Sequence, residues 1–381
     1  MKKMRMVRGA ALVAALVVAV MSGPVAQAQT QVATKWKLGP PITFGAPSAG
    51  ATRFDGELYK PTNRVFFLGF RQSDSSTSGE VWYYDVVTAT YVDTGVAMPT
   101  PVSNYQIAAL KDAAGTLGFY IFGGRDSAGN IVTTVQAYLP ATNTTATDAA
   151  DPWPGTTPSA CVSLPAMGVA KVGSSKAYVL GGVSFAANGC VDDQSAQVWR
   201  YKATAAAGSR WKQMPSLLSA HGYITPAVLG TKIYAIGGDF NTAGSLAPVT
   251  DVQSWVVGAG SWTAETALPE ACDESQAFAF SSGALANTIT LAGCGQFPNA
   301  NPDVNQYDTV AQTWSLSCHL NVARRNQAGV RLGSKMFVLG GYDLNGGTVL
   351  ASTEFGKAGV CTTASRASHA PSGATGRATT S

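Results

Sequence analysis

The chain has 381 residues, of which 46% are hydrophobic and only 13% are charged, and it contains 41 glycines and 19 prolines. This composition excludes a helical bundle or coiled coil, which needs dense charged residues at helical spacing, and it excludes disorder over most of the chain. A polytopic membrane protein is also excluded, because no segment beyond the N-terminal leader has about 18 uninterrupted apolar residues.

The N-terminus has the pattern of a secretory signal peptide. Four basic residues between positions 2 and 8 precede an apolar run at 10–21, and Ala26-Gln27-Ala28 resembles a cleavage site. We therefore predict a signal peptide over residues 1–28 and a secreted or periplasmic protein; the alternative is a retained N-terminal anchor. Cleavage would leave 22 basic and 22 acidic residues. A nucleic-acid partner usually requires a basic stripe, and none is present, so neither nucleic-acid binding nor membrane insertion after cleavage is expected.

An internal repeat dominates the rest of the sequence. Six apolar segments end in glycine, and these glycines follow one another at intervals of 54, 58, 56, 56 and 47 residues: Gly69, Gly123, Gly181, Gly237, Gly293 and Gly340. An aromatic segment follows most of them, and a further aromatic residue comes later in phase: Tyr91, Trp153, Trp211, Trp262 and Trp314. Each unit thus predicts about four short strands, which must stack on neighbouring copies to bury both faces. The phased aromatic residues are interpreted as packing between units rather than as ligand contacts.

The repeat resembles the kelch repeat of the galactose oxidase central domain-like superfamily. The shared features are the apolar strand, the Gly-Gly pair, a Tyr-Asp strand as in Tyr84-Asp85, and the later Trp. The resemblance covers about residues 36–355, with departures at Gly69-Phe70 and at Gly293-Cys294-Gly295. It implies an all-β, six-bladed β-propeller over residues 29–361. The composition of residues 362–381, which are rich in Ser, Thr and Ala, predicts a disordered tail.

The two ends of the repeat region predict how the ring closes. Trp36 stands where the late tryptophan of a unit belongs, and residues 348–355 look like the aromatic strand that is missing before it. We predict that the last blade is shared by both termini, with its third strand from the C-terminus and the other three from the N-terminus.

Six cysteines in an exported chain predict disulfides rather than a metal or redox site, since no C-x-x-C is present. The register of the repeat places Cys161 with Cys190, and Cys272 with Cys294, in equivalent loops of two blades. The remaining pair is then Cys318–Cys361, although the register does not clearly place Cys361 on the same face.

Kelch propellers usually bind ligands on the face that carries the loops after the Gly-Gly strands and the connections between blades. Alignment of the first strand of each blade places nine candidate ligand-binding residues at the channel mouth on this face: Asn104, Tyr105, His221, Tyr223, Asp273, Glu274, Arg324, Arg325 and Asn326. Ser163 aligns with them. Glu274, Arg325 and His221 are the candidates for acid–base chemistry on a sugar, and a buried Arg–carboxylate pair of purely structural role is the favoured alternative. Arg125, Asp126, Asp239, Asn241, Asp343 and Asn345 lie in the glycine-pair loops and are interpreted as turn residues.

These observations favour a monomeric, non-catalytic protein that binds a carbohydrate or an extracellular protein, with no cofactor and no metal. A sugar mutarotase or epimerase is the alternative, because a periplasmic sialic-acid mutarotase shares the six-bladed kelch fold, and a purely structural module is a third possibility. A copper radical oxidase is disfavoured, because it needs two His ligands, an axial Tyr and a Tyr crosslinked to Cys. The chain has three histidines, and all six cysteines are assigned to disulfides.

Overall fold

Six small antiparallel sheets of four strands each make up a six-bladed β-propeller in the computed structural model. The structure describes residues 34–242, 245–295, 299–343 and 347–358. The predicted signal peptide, the predicted tail and Cys361 lie outside the described residues.

In blades 1 to 5 the four main strands run outward in chain order from the central channel. The first strand of the chain, β1 (Thr34–Leu38), belongs to the last blade. Blade 1 comprises β2 (Gly56–Tyr59), β3 (Arg64–Arg71), β4 (Thr77–Asp85) and β5 (Thr90–Ala97). Blade 2 comprises β6 (Ile107–Lys111), β7 (Leu117–Ile121), β8 (Val135–Leu139) and β9 (Thr144–Asp148).

Blades 3 and 4 each carry an extra two-stranded ribbon after the second strand. Blade 3 contains β10 (Val169–Val172), β11 (Lys176–Leu180), the ribbon β12 (Val183–Ser184) and β13 (Asp193–Gln194), then β14 (Val198–Lys202) and β15 (Trp211–Met214). Blade 4 contains β16 (Thr225–Leu229), β17 (Lys232–Ile236), the ribbon β18 (Asp239–Thr242) and β19 (Ser245–Pro248), then β20 (Val252–Val256) and β21 (Thr263–Ala264).

The last two blades complete the ring. Blade 5 comprises β22 (Gln276–Phe280), β23 (Thr288–Ala292), β24 (Val304–Asp308) and β25 (Thr313–Leu316). Blade 6 comprises β26 (Ala328–Leu332), β27 (Lys335–Leu339), β28 (Thr353–Ala358) and β1. Three short 3₁₀ turns, Lys60–Thr62, Ala186–Asn188 and Gly283–Leu285, lie in the described connections.

The second strand of each blade is apolar because neighbouring blades cover both of its faces. Val65, Phe67 and Leu68 are fully buried in β3, for example. The glycine that ends such a strand is required by a close approach of the next blade. A Cβ on Gly237, whose φ is +56°, would lie 2.1 Å from the carbonyl oxygen of Cys272 in the segment leading into blade 5.

Aromatic side chains bridge the blades. In blades 1 to 5, an aromatic residue of the third strand packs on an aromatic residue in or directly after the preceding blade's second strand, with ring centroids 5.0–6.3 Å apart: Tyr84–Phe337, Tyr138–Phe66, Tyr201–Phe122, Trp255–Tyr178 and Tyr307–Tyr234. Four of the late aromatic residues pack on the third strand of their own blade, as Trp314 does on Tyr307 at 4.7 Å, and the fifth, Trp153, packs on Trp211 of the next blade at 5.3 Å.

Closure by both termini is confirmed, but the predicted division of strands is wrong. The C-terminal part supplies three strands of blade 6, and the N-terminus supplies only the outermost one, β1. β1 pairs antiparallel with β28, with Trp36 opposite Gly356. A Cβ on Gly356 would lie 2.9 Å from the Trp36 ring, so the glycine makes room for the indole. The error arose because Trp36 marks a fourth strand, and the three strands inside it all belong to the other end of the chain.

Two of the three predicted disulfides are present, Cys161–Cys190 and Cys272–Cys294. Each joins the segment that leads into a blade to the loop that follows the glycine of that blade's second strand. The partner predicted for Cys318 lies outside the described residues.

Candidate functional site

The repeated geometry of one face of the ring creates a shared cluster of side chains. In every blade, the segment leading into the first strand forms a β-bridge with the residue two positions after the first glycine of the second strand: Thr52–Arg71, Ser103–Arg125, Leu164–Val183, Gly222–Asp239, Asp273–Gly295 and Arg325–Tyr342. These bridges bring twelve loop positions to the same end of the channel.

The residue after the bridge has a left-handed backbone in five of the six blades. These residues are Arg53, Asn104, Tyr223, Glu274 and Asn326, with φ between 47° and 59°. Neighbouring members are hydrogen-bonded through the main chain: the N–H of Asn104 donates to the Arg53 carbonyl at 2.7 Å, and the N–H of Arg53 donates to the Asn326 carbonyl at 2.8 Å. Their side chains are thereby gathered around the channel axis, in what we call the mouth.

One side of the mouth, formed by blades 1 and 2, is cationic. Arg53, Arg71 and Arg125 are all half-buried. Burial lowers the pKa of the Arg71 guanidinium, and the positive charges of Arg53 and Arg125 lower it further, so Arg71 lies close enough to both to be repelled by them. Burial acts to lower the pKa of Arg53 as well, but Tyr223, Glu274 and Tyr342 more than offset this effect, so the pKa of Arg53 is raised. Arg53 Nη1 donates to Asn104 Oδ1 at 3.1 Å, and the Arg125 guanidinium stacks 4.5 Å from the Phe185 ring. A bound anion would relieve this repulsion.

The opposite side, formed by blades 4 to 6, is acidic but partly neutralised. Glu274 Oε2 accepts a hydrogen bond from Arg325 Nη1 at 2.5 Å, and both side chains are buried. Burial raises the pKa of Asp239 to about 6; a hydrogen bond with the Asp273 carboxyl opposes this rise, and the Glu274 charge adds to it. Asp239 is therefore a carboxyl group that can exchange a proton near neutral pH.

Two tyrosines connect the two sides. Burial raises the pKa of Tyr223 to about 12, and its hydroxyl lies within electrostatic range of Arg53, Glu274, Arg125 and Asp239. The Tyr342 ring lies 4.8 Å from the Arg325 guanidinium and 5.6 Å from that of Arg53. The mouth thus offers aromatic rings and hydroxyl groups between a cationic and an acidic side.

Several buried polar atoms at the mouth have no hydrogen-bond partner among the described residues. They are Asn104 Nδ2, both side-chain polar atoms of Asn326, Ser163 Oγ, and the Nε atoms of Arg53 and Arg71. Buried polar groups are normally hydrogen-bonded, so these atoms provide donors and acceptors for a bound molecule or for water.

Three of the nine candidate binding residues make their contacts outside the cluster at the mouth. Tyr105 is 1% exposed, and its hydroxyl donates to the Gly69 carbonyl at 2.6 Å. This hydrogen bond links the segment leading into blade 2 to blade 1. Arg324 is fully buried, and Nη2 lies 2.9 Å from Glu354 Oε1, so it belongs to the framework of blade 6. His221 does not join the Glu274–Arg325 pair, since its Nε2 lies 3.4 Å from Asp251 Oδ2 and burial lowers its pKa.

The other six, Asn104, Tyr223, Asp273, Glu274, Arg325 and Asn326, are brought together at the mouth. The sequence alignment missed Arg53, Arg71 and Tyr342, and it interpreted Arg125 and Asp239 only as turn residues. A signal was available, since Arg71, Arg125, Asp239 and Tyr342 all stand two positions after the first glycine.

No helix in the described part of the chain is long and apolar enough to cross a membrane. Among the same described residues, no group of three or more His, Cys, Asp or Glu side chains is arranged to hold a metal ion.

No protein-family model matches the sequence, and no curated protein matches it. A solved structure, that of YjhT, is similar to this chain with a TM-score of 0.59 and 14% identity. The match covers 83% of this chain and 95% of that one. At this identity the similarity shows the propeller fold alone.

Proposed function

We propose that this protein is an exported propeller that binds an acidic carbohydrate at the mouth. The observation that carries the proposal is the grouping of the half-buried Arg53, Arg71 and Arg125 at the mouth, where the Nε atoms of Arg53 and Arg71 are buried without a hydrogen-bond partner among the described residues. A carboxylate would form charge-assisted hydrogen bonds with these guanidinium groups. The proposal includes two further points, namely that the propeller is of the kelch type and that its role is non-catalytic.

The other side chains of the mouth can form hydrogen bonds with the hydroxyl groups of such a carbohydrate. Asp239 and Asp273 can accept hydrogen bonds from sugar hydroxyls, and the unpaired amide of Asn326 can both donate and accept. Tyr342 presents a ring beside them. A neutral sugar would use the acidic side only, whereas a uronate would use both sides.

Export is supported by the leader pattern in residues 1–28 and by the two disulfides, which persist in oxidising compartments. The rigid ring and the loops on one face suit a binding module.

The test is a calorimetric titration of the oxidised protein with glucuronate and with glucose. We expect glucuronate to bind more tightly than glucose, and Arg71→Met to weaken glucuronate binding about ten- to a hundredfold, since hydrogen bonds to charged groups are strong. Arg64→Met is the matched control, because Arg64 begins the same strand β3 and pairs with Asp85 away from the mouth. Equal affinity for the two sugars, or an equal effect of the two variants, would contradict the proposal.

A mutarotase is the second candidate, and the Asp239–Asp273 carboxyl pair favours it. A group whose pKa is about 6 can serve as both acid and base near neutral pH. Exchange NMR would measure the interconversion of glucuronate anomers by the parent, by Asp239→Asn and by Glu274→Gln. Catalysis by the parent that Asp239→Asn abolishes, with binding retained, would replace the binding-only role.

A further inference from the structure

A second cavity lies inside the channel, on the side away from the mouth. Its volume is about 380 Å³, and residues from the first strands or adjoining segments of all six blades line it. Each first strand starts beside the mouth and ends at a turn on the opposite face, so the exposed Lys60 and Gly333 mark the outer end of the cavity. The volume is within the range of small-molecule sites.

The inner end of this channel cavity holds a buried carboxylate. Asp55 is 6% exposed, and its Oδ2 accepts a hydrogen bond from the Ile107 N–H at 3.0 Å. The groups that stabilise its charge are main-chain N–H groups of Ile107, Gly56 and Gly329, while Glu57 adds a second negative charge nearby. Burial raises the pKa of Asp55 to about 7. A cation placed beside Asp55 would therefore supply a neutralising charge that these neighbours do not.

The neighbouring polar groups at this depth are already committed to the framework. Gln106 Oε1 accepts the Val169 N–H at 2.9 Å, and Gln276 Nε2 donates to the Gln327 carbonyl at 2.9 Å. These contacts fix the orientation of both amides. Asp55 and Glu57 are the two carboxylates of the lining, and Glu57 Oε1 already accepts the Leu58 N–H at 3.1 Å. Two carboxylates with few free oxygen ligands around them do not suit a hard metal ion, which needs six or more oxygens.

Most of the exposed lining is polar, and apolar side chains form a part of the wall between the carboxylate and the outer end. Val169, Pro226, Ala277 and Val330 contribute to them. The rim carries the exposed cations Lys60 and Arg331, and the Arg331 guanidinium donates to the Ala279 carbonyl in blade 5. An occupant whose positive head reaches the inner end would lay its body against these apolar side chains.

We propose that the channel cavity binds a small organic ammonium ion, with its ammonium group against Asp55 and its apolar body along Val169, Pro226 and Ala277. This site is separate from the mouth and does not depend on the function proposed for the mouth.

Binding of the ammonium ion requires Asp55 in its charged form, so affinity should rise with pH and level off above about pH 7. The other titratable and charged groups that face this region are Glu57 on the same strand, Tyr105 beside β6, Lys171 on β10, which acts on Glu57, and the rim cations Lys60 and Arg331.

The probes for the test are n-butylammonium and n-butanol, which have the same apolar body and differ in charge. Each would be titrated into the full-length oxidised protein at about pH 8 and followed by NMR. We expect n-butylammonium to bind at least about tenfold more tightly than n-butanol, with its affinity falling toward about pH 5. Asp55→Asn, which keeps the acceptor for Ile107, should abolish the preference, and Glu270→Gln, an exposed carboxylate elsewhere, should retain it.

A second variant tests the cavity without changing Asp55. Ala277→Leu fills part of the space and should weaken n-butylammonium binding at least about tenfold. Binding of glucuronate at the mouth should be unaffected by either variant, which separates the two proposals. Equal affinity for ammonium and alcohol, retained preference in Asp55→Asn, or no saturable binding up to about 50 mM n-butylammonium would overturn the proposal.

Discussion

Replacement of the buried Asp55 by Asn should stabilise the protein at neutral and alkaline pH. The carboxyl group has a pKa of about 7 in the folded protein, against 3.8 for an ordinary aspartate, because burial disfavours its charge. The folded protein therefore keeps a proton that the unfolded chain releases as the pH rises from about 4 to 7. Stability is lost across this window and is flat above it.

The size of the loss in folding stability follows from the shift in the pKa of Asp55. Each unit of pKa difference corresponds to about 1.4 kcal/mol, so a shift of about three units amounts to about 4 kcal/mol. Asparagine is neutral in both states and avoids this loss, while its side-chain oxygen can still accept the Ile107 N–H.

The assay is urea unfolding of the parent and of Asp55→Asn at several pH values between about 4 and 8. We expect the two proteins to have similar stability near pH 4 and the variant to be more stable by up to about 4 kcal/mol near pH 8. Taking the difference at each pH cancels the titration of most other groups. Glu270→Gln, at an exposed position, is the control for the change from carboxylate to amide. A gap between parent and Asp55→Asn that is constant or shrinks as the pH rises would refute the reasoning.

Three further predictions concern the framework. Trp36→Ala should cost about 3–5 kcal/mol of stability, because the indole is only 7% exposed in the closing strand β1. Leu38→Ala is the control, since Leu38 is 64% exposed on the same strand and its loss should change the melting temperature little. Equal effects of the two substitutions would contradict closure of the ring by β1. Glu354→Gln should cost about 3–5 kcal/mol in denaturant unfolding, since it leaves a buried guanidinium uncompensated, and an unchanged midpoint would argue against the ion pair. Replacing Cys161 and Cys190 together by Ser should lower stability by about 3 kcal/mol without loss of the ring, as measured by melting and circular dichroism; complete unfolding would show that the bridge is essential.

The fold could be predicted to the level of blades because its signals are local and repeated. The apolar second strands, their terminal glycines and the phased aromatic residues recur at nearly constant spacing, and two disulfides followed from that register. The division of blade 6 could not be predicted in the same way. Which end of the chain supplies a strand depends on the pairing of β1 with β28, a contact that spans the whole sequence.

The site was predicted only in part, because register assigns a position but not a side-chain direction. Arg324 and Arg325 are adjacent, yet one is held by Glu354 inside blade 6 and the other by Glu274 at the mouth. Arg53 was missed because the long connection over residues 39–55 carries no repeat signal ahead of blade 1. The close approach of Asp239 to Asp273 joins two blades and depends on tertiary packing.

The most direct measurement of the central claim is a crystal structure of the oxidised protein with glucuronate bound. Our account predicts the sugar at the mouth, with its carboxylate oxygens within about 3 Å of nitrogen atoms of Arg71 and of at least one of Arg53 and Arg125. Its hydroxyl groups should face Asp239 and Asn326. A glucuronate bound away from the mouth, or one whose carboxylate points to solvent while its ring occupies the mouth, would contradict the account.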